Sequence, residues 1–289
     1  MRAGSAPWTI LELLHPIPSV LTTVAAVGFA WIFGIGPDDP RFWSIAGIML
    51  LAQFSISALN EWADADLDRR AGRRRPIPLG LLSPGTALNV AIVCALGAFL
   101  VSAISNLGAL PLLLVGIGVA CGWAYDLWLK PTPLSFLPFA IAFPLMPFWI
   151  GLIASRPASA LAVLFIGGAP LAAAIHLADA IPDRDTDRAA GLNSLAVALG
   201  RPAAELVAVA LLLAGSLVSI TALLRLALLR HVNSSGLTFA IVVAAATWVA
   251  LSLAIRNAKG RSAQLVGKWL LIAAAALAAL PLVITANVR

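Results

Sequence analysis

NEWADADLDRRAGRRRPIP, residues 60–78, lies between two long apolar runs. Four carboxylates fall between Glu61 and Asp68, and five arginines follow between Arg69 and Arg75. Asn60, Asp64 and Asp68 are spaced i, i+4, i+8, so a helix continuing past the apolar run carries them on one face. Glu61 lies nearby and Asp66 points elsewhere. Carboxylates this close repel one another, and the arrangement is costly unless a cation neutralises it. Oxygen-only ligand sets with spare coordination suit Mg²⁺, which binds through one or two carboxylates while keeping waters and phosphate oxygens.

The surrounding chain has little polar surface to offer water. It is 61% hydrophobic and 11% charged, with mean hydropathy +0.97, which excludes a soluble domain of 289 residues. Nine apolar runs lie near 16–36, 42–60, 84–105, 108–128, 134–154, 159–180, 202–224, 236–256 and 265–286. Runs of about 20 apolar residues cross a hydrocarbon core. The expected fold is therefore an all-α membrane protein, a single transmembrane domain over 1–289 with nine helices in a bundle. Arg2 is the only base before the first run and no small-residue cleavage site is evident, so that run is not expected to be a cleaved signal. The net charge of +6 does not indicate nucleic acid, because the bases lie in short loops. Cys94 and Cys121 both fall inside apolar runs, which argues against a disulfide framework or a zinc site.

The bases also give an orientation. With the N-terminus cytoplasmic, Arg2, Arg69–Arg75, Lys130, Arg184, Arg188, Arg201, Arg256, Lys259, Arg261 and Lys268 fall on one side. Only Arg41, Arg156, Arg225, Arg230 and Arg289 fall on the other, a positive-inside pattern that places the C-terminus outside. A second acidic cluster, Asp179, Asp183 and Asp187, repeats the four-residue spacing, with His176 one turn earlier. Four runs separate the clusters, so both emerge on the cytoplasmic face, as in two parallel four-helix units plus one helix. Two acidic faces opposed across a bundle would hold metal ions that bridge a diphosphate. Pro182 lacks an N–H and should kink or restart the helix inside the second cluster.

These residues carry a resemblance. Asn60-Glu-Trp-Ala-Asp64-Ala-Asp-Leu-Asp68 resembles the N-D-x-x-D-x-x-x-D signature of UbiA-type intramembrane prenyltransferases, and RRRPIPLG resembles its continuation. Asp179-Ala-Ile-Pro-Asp183-Arg-Asp-Thr-Asp187 is similar to that family's second aspartate motif, and DRAAGLNSLAVALG to the stretch after it. YDLWLK, Tyr125 to Lys130, resembles the Tyr-to-Lys segment between spans four and five. Glu61 replaces the usual Asp, and Asn193 stands where many members carry a base.

The resemblance implies Mg²⁺-dependent transfer of a polyprenyl group from an isoprenyl diphosphate to an acceptor. Asp64, Asp68, Asp183 and Asp187 would hold Mg²⁺, with Asn60 a neutral ligand or the orienter of a bound water, and Asp179 in or behind the ligand set. Arg75, Lys130 and Arg184 are the expected diphosphate contacts, Arg as a planar fork and Lys as a point charge. Tyr125, the only tyrosine, admits two readings: a ring facing the allylic cation, or an interfacial residue beside Trp123 and Trp128. His176 also admits two, a base toward the acceptor or a histidine satisfied at a helix interface. The acceptor is left open among aromatic acids, tetrapyrroles and lipid headgroups, with DRAAGLNSLAVALG leaning toward the chlorophyll-synthase-like branch. The high Arg-to-Lys ratio fits a bacterial plasma membrane. The rival class is a membrane carrier, since intramembrane carboxylates mark ion pathways. Carriers, however, often bind near the midplane between inverted repeats, and an even number of runs separates these clusters.

Overall fold

The computed structural model describes residues 6–230 and 261–287, and the regular elements among them are helical. In chain order these are α1 (Ala6–Leu13), α2 (Pro16–Ile32), α3 (Pro40–Arg70), α4 (Pro84–Ile104), α5 (Ala109–Ala124), α6 (Leu137–Ile153), α7 (Ala158–Ala180), α8 (Arg184–Ala189), α9 (Leu195–Leu199), α10 (Arg201–Arg230) and α11 (Arg261–Ala286). A π-helical turn, Tyr125–Leu129, prolongs α5. Among the described residues, six helical segments are long and apolar enough to cross a membrane, and α2 and α6 are shorter apolar helices of 17 residues each. The expected run at 236–256 lies outside the described residues. The short helices α1, α8 and α9 carry too little apolar length to register as runs.

Local chemistry sets the helix starts. Asp39 caps α3, its carboxylate accepting from the Arg41 N–H at 2.9 Å, and Pro40 supplies a first helical residue that needs no donor. Ser83 caps α4 in the same way through the Thr86 N–H at 3.1 Å, again followed by proline. Pro144 and Pro147 lie inside α6, where neighbouring helices can satisfy the freed carbonyls.

The chain divides into two compact units, Met1–Trp128 with Leu152–Ala154, and Leu129–Gly151 with Ser155–Arg289. In the first, α2, α4 and α5 pack on α3. Leu13, Ala58, Leu59, Ala65, Ile77, Ala87 and Ala91 form a buried cluster, so the acidic end of α3 is built over a fixed apolar base. In the second, α7, α10 and α11 pack on one another. A Cβ at Gly215 would lie 2.5 Å from Leu171 Cγ, so the bare backbone of α10 is what permits its approach to α7. Trp31, Trp43, Trp128 and Trp269 are exposed, as suits rings at a membrane–water interface.

Candidate active site

The first unit carries the first aspartate motif on α3, a single helix of 31 residues. Its continuity keeps Asn60, Asp64 and Asp68 on one face, as the spacing predicts. Asp66 faces away, exposed and paired with Arg69 at 2.5 Å. Asp68 is buried at 3% exposure, and the way α3 ends explains how a carboxylate can be buried there. Gly72 adopts φ +63°, its N–H donates to Arg69 O at 3.2 Å, and the Arg73 N–H donates to Asp68 O at 2.9 Å. This is a Schellman stop, in which a left-handed glycine turns the chain back on the helix. Arg73 is thereby returned to Asp68, and its Nη1 donates to Asp68 Oδ1 at 3.0 Å.

Glu61 is deeply placed. At 2% exposure it meets His15 Nε2 at 2.7 Å and Arg75 Nη1 at 3.3 Å, while its Oε2 is buried without a hydrogen-bond partner. Arg75, an expected diphosphate contact, is thus anchored from behind and remains 45% exposed. A cavity of about 430 Å³ beside it is lined by Glu12, His15, Arg74 and Arg75 together with prolines.

Asn60 Nδ2 donates to Asp126 Oδ1 at 2.9 Å, joining α3 to the π-helical turn. The join depends on how closely α5 approaches α3. A Cβ on Gly122 would lie 2.5 Å from Ile56 Cδ1, and Trp123 Nε1 donates to Ser55 Oγ at 3.1 Å. One turn further along both helices, Asp126 meets Asn60. Tyr125 is half-buried at the start of the same turn.

The second unit carries the second motif, and here the helix breaks. α7 ends at Ala180 and α8 begins at Arg184, with Pro182 in the intervening turn. Asp179 therefore sits in the last turn of α7, Asp183 at the N-cap of α8, and Asp187 within α8. The regular spacing does not survive as one helical face. Asp179 and Asp183 are exposed and Asp187 half-buried. Asp179 pairs with Lys268 Nζ. Arg184 Nη1 donates to Asp185 Oδ1 at 2.8 Å, and its Nε is buried without a partner. Lys130 is half-buried just after the π-helical turn, and the Asn193 N–H donates to Pro131 O at 3.1 Å. His176 is buried, bonded to Ser135 Oγ at 3.0 Å, with its ring centroid 4.5 Å from that of Phe139. This is the interface reading of His176.

Three residues of these clusters were not singled out in the sequence as site residues: Asp126, His15 and Lys268. Only Asp126 had a local signal, as an acid inside an apolar run, where burying a charge is costly without a role. His15 and Lys268 reach their acids through packing, and His15 is 46 residues from Glu61.

The donor chemistry fits Mg²⁺, being carboxylate and amide oxygen. Among the described residues no three His, Cys, Asp or Glu side chains converge into a ready-made cage. Mg²⁺ ordinarily takes only one or two carboxylates and completes its shell with water and phosphate oxygens, so two aspartates a turn apart suffice.

Residues 19–272 match the model of the UbiA prenyltransferase family. A 4-hydroxybenzoate octaprenyltransferase of Aliivibrio fischeri is 27% identical over 208 residues, 70% of this chain and 71% of that one. One of Ralstonia nicotianae is 29% identical over 197 residues, 66% and 67% of the two chains. In fold, the chain is similar to a UbiA homologue from Archaeoglobus fulgidus bound to GPP and Mg²⁺, with TM-score 0.73 at 18% identity over 96% of this chain and 98% of that one. It is also similar to a digeranylgeranylglyceryl phosphate synthase, with TM-score 0.77 at 14% identity over 98% and 99%. The lean toward the chlorophyll-synthase-like branch is corrected by these relatives. There is a physical reason: DRAAGLN builds the stop of α8, so it encodes a turn and not an acceptor. Family model, helical fold and ordered motifs agree, and the chain belongs to the UbiA prenyltransferase family, an integral membrane prenyltransferase.

Proposed function

We propose that the chain transfers a polyprenyl group from an isoprenyl diphosphate to an aromatic hydroxy acid of the 4-hydroxybenzoate type, using Mg²⁺. The observation that carries the reading is the unbroken α3, which presents Asn60, Asp64 and Asp68 on one face beside an arginine-rich turn. The acceptor class is supported by the names of the relatives, and the donor and metal by the homologue bound to GPP and Mg²⁺.

In this reading Asp64 and Asp68, joined by Asn60, hold Mg²⁺ on the first motif, and Asp183 and Asp187, joined by Asp179, hold it on the second. Bound Mg²⁺ supplies neutralisation of the charge that grows on the diphosphate as the allylic C–O bond breaks. Arg75, pre-oriented by Glu61, is the diphosphate contact beside the first motif, and Lys130 and Arg184 are the diphosphate contacts of the second unit. The Tyr125 ring offers its π face to the allylic cation. The acceptor's ring carbon forms the new C–C bond and releases its proton, while diphosphate leaves. The same proposal includes nine spans as two four-helix units plus one, and a cytoplasmic N-terminus with both motifs on that side. It further includes an outward C-terminus and residence in a bacterial plasma membrane.

The test uses purified protein in detergent with Mg²⁺, a radiolabelled prenyl diphosphate, and a panel of 4-hydroxybenzoate, a naphthoate, a chlorophyllide, a glycerol phosphate and a sugar phosphate. Prenylated 4-hydroxybenzoate formed only with Mg²⁺, and abolished in folded Asp64→Ala and Asp183→Ala, is the expected result. Near-normal transfer by Asp64→Ala would overturn the metal assignment, and product only from another acceptor would overturn the acceptor class.

A further inference from the structure

The buried Asp126 has no part in the reading above, yet it contacts one of the proposed metal ligands directly. A carboxylate oxygen accepts hydrogen bonds, whereas an asparagine amide has one donating and one accepting end. At 2.9 Å, Asn60 Nδ2 donates to Asp126 Oδ1, and this contact sets which end of the amide faces which way. The NH₂ group is committed to Asp126, and Oδ1, the one side-chain atom of Asn60 able to ligate a hard cation, is turned away from it.

The fold is organised to keep this contact. Gly122 lets α5 close on Ile56, Trp123 is tied to Ser55, and the π-helical turn directs Asp126 inward at 8% exposure. A wider helical turn of this kind re-aims side chains relative to the regular helix, and is common at functional sites.

We propose that Asp126 is a positioning residue for the first aspartate motif, fixing the Asn60 amide so that its oxygen serves Mg²⁺. This rests on the reading of Asn60 as a ligand. Groups that orient metal ligands typically control affinity by about 10–100-fold.

The decisive experiment measures Mn²⁺ binding by electron paramagnetic resonance on the full chain in detergent, with inorganic pyrophosphate present. The Mg²⁺ concentration for half-maximal transfer is measured alongside. Asp126→Asn keeps side-chain volume while allowing the Asn60 amide to bond either way round. We expect it to weaken Mn²⁺ binding and raise the Mg²⁺ half-saturation point by about 10–100-fold, with no further loss in an Asn60→Ala background. A fall in unfolding temperature and turnover with Mn²⁺ affinity unchanged would make Asp126 a scaffold residue only and overturn the proposal. Unchanged Mn²⁺ affinity in Asn60→Ala removes the ligand, and the proposal with it. The same result in Asp64→Ala would take down the metal reading of the whole motif.

Discussion

Asp68 and Asp187 occupy the same place in the same kind of turn. Each gives its backbone carbonyl to the N–H five residues on, Asp68 to Arg73 at 2.9 Å and Asp187 to Leu192 at 3.0 Å. Each is followed four residues later by a left-handed glycine, Gly72 at φ +63° and Gly191 at φ +81°. The two stops are written D-R-R-A-G, residues 68–72, and D-R-A-A-G, residues 187–191. Both aspartate motifs thus end on one local device, although the helices leading into them differ.

That equivalence makes the glycines targets. Alanine in the left-handed region costs about 1–2 kcal/mol, and asparagine less. Gly72→Ala and Gly191→Ala should each lower thermal stability in detergent by that order, with Gly72→Asn milder. Gly72→Ala should also reduce transfer beyond its effect on stability, because it moves Arg73 relative to Asp68. Unfolding curves and transfer rates for the three variants check this, and alanine variants as stable as the parent would contradict it.

Helix approach at Gly122 gives a second prediction. A methyl there meets Ile56 at 2.5 Å. Overpacking of this kind costs about 1–3 kcal/mol. Gly122→Ala should destabilise the protein and slow transfer by separating Asp126 from Asn60, and Ile56→Ala should recover part of both losses. Strictly additive effects in the double variant would show that the two residues do not share a contact.

Glu61 offers a third. Removing a buried acceptor costs about 1–3 kcal/mol, and here His15 loses its hydrogen bond and Arg75 its ion pair. Glu61→Ala should lower stability by that order and raise the half-saturating concentration of prenyl diphosphate by releasing Arg75. Glu61→Gln keeps the shape and one acceptor, so its effect should be smaller. Equal half-saturation in all three proteins would separate Arg75 orientation from Glu61.

The cap of α3 predicts a pH dependence. The Arg41 guanidinium bonded to Asp39, then the Arg41 backbone N–H, hold that carboxyl below its usual range. A carboxyl whose pKa is depressed by folding stabilises the fold above its unfolded value, about 3.9, and loses that contribution as pH falls through the lower folded value. Asp39→Asn retains a capping oxygen but no charge. It should be less stable than the parent at neutral pH, and the difference should shrink below about pH 4. Thermal scans from pH 3 to 7 show whether the curves converge.

The parts legible in the sequence are those governed by short range. Asn60, Asp64 and Asp68 share a face because nothing between Pro40 and Arg70 interrupts α3, and Pro182 announced the break between α7 and α8. What escaped depended on packing. The spacing of Asp126 from Asn60 is 66 residues, and the bare backbone of Gly122 lets their helices close over Ile56. Glu61 has a longer arm than the family's aspartate, and that length is what reaches His15 and Arg75 together. Asp179 and Lys268 gave no hint of each other, being held on α7 and α11, two helices that meet only in the folded unit.

One detail of the α3 stop reaches further. Arg73 grips Asp68 twice, by its backbone N–H and by its guanidinium. The turn therefore works as a ruler, measuring five residues from the aspartate before it delivers a cation. Side chains at 69–71 can change without altering the measure. A single inserted or deleted residue hands both bonds to a different amino acid, and shifts Arg74, Arg75 and the whole descending segment by one step. In this corner of the molecule, count matters more than composition.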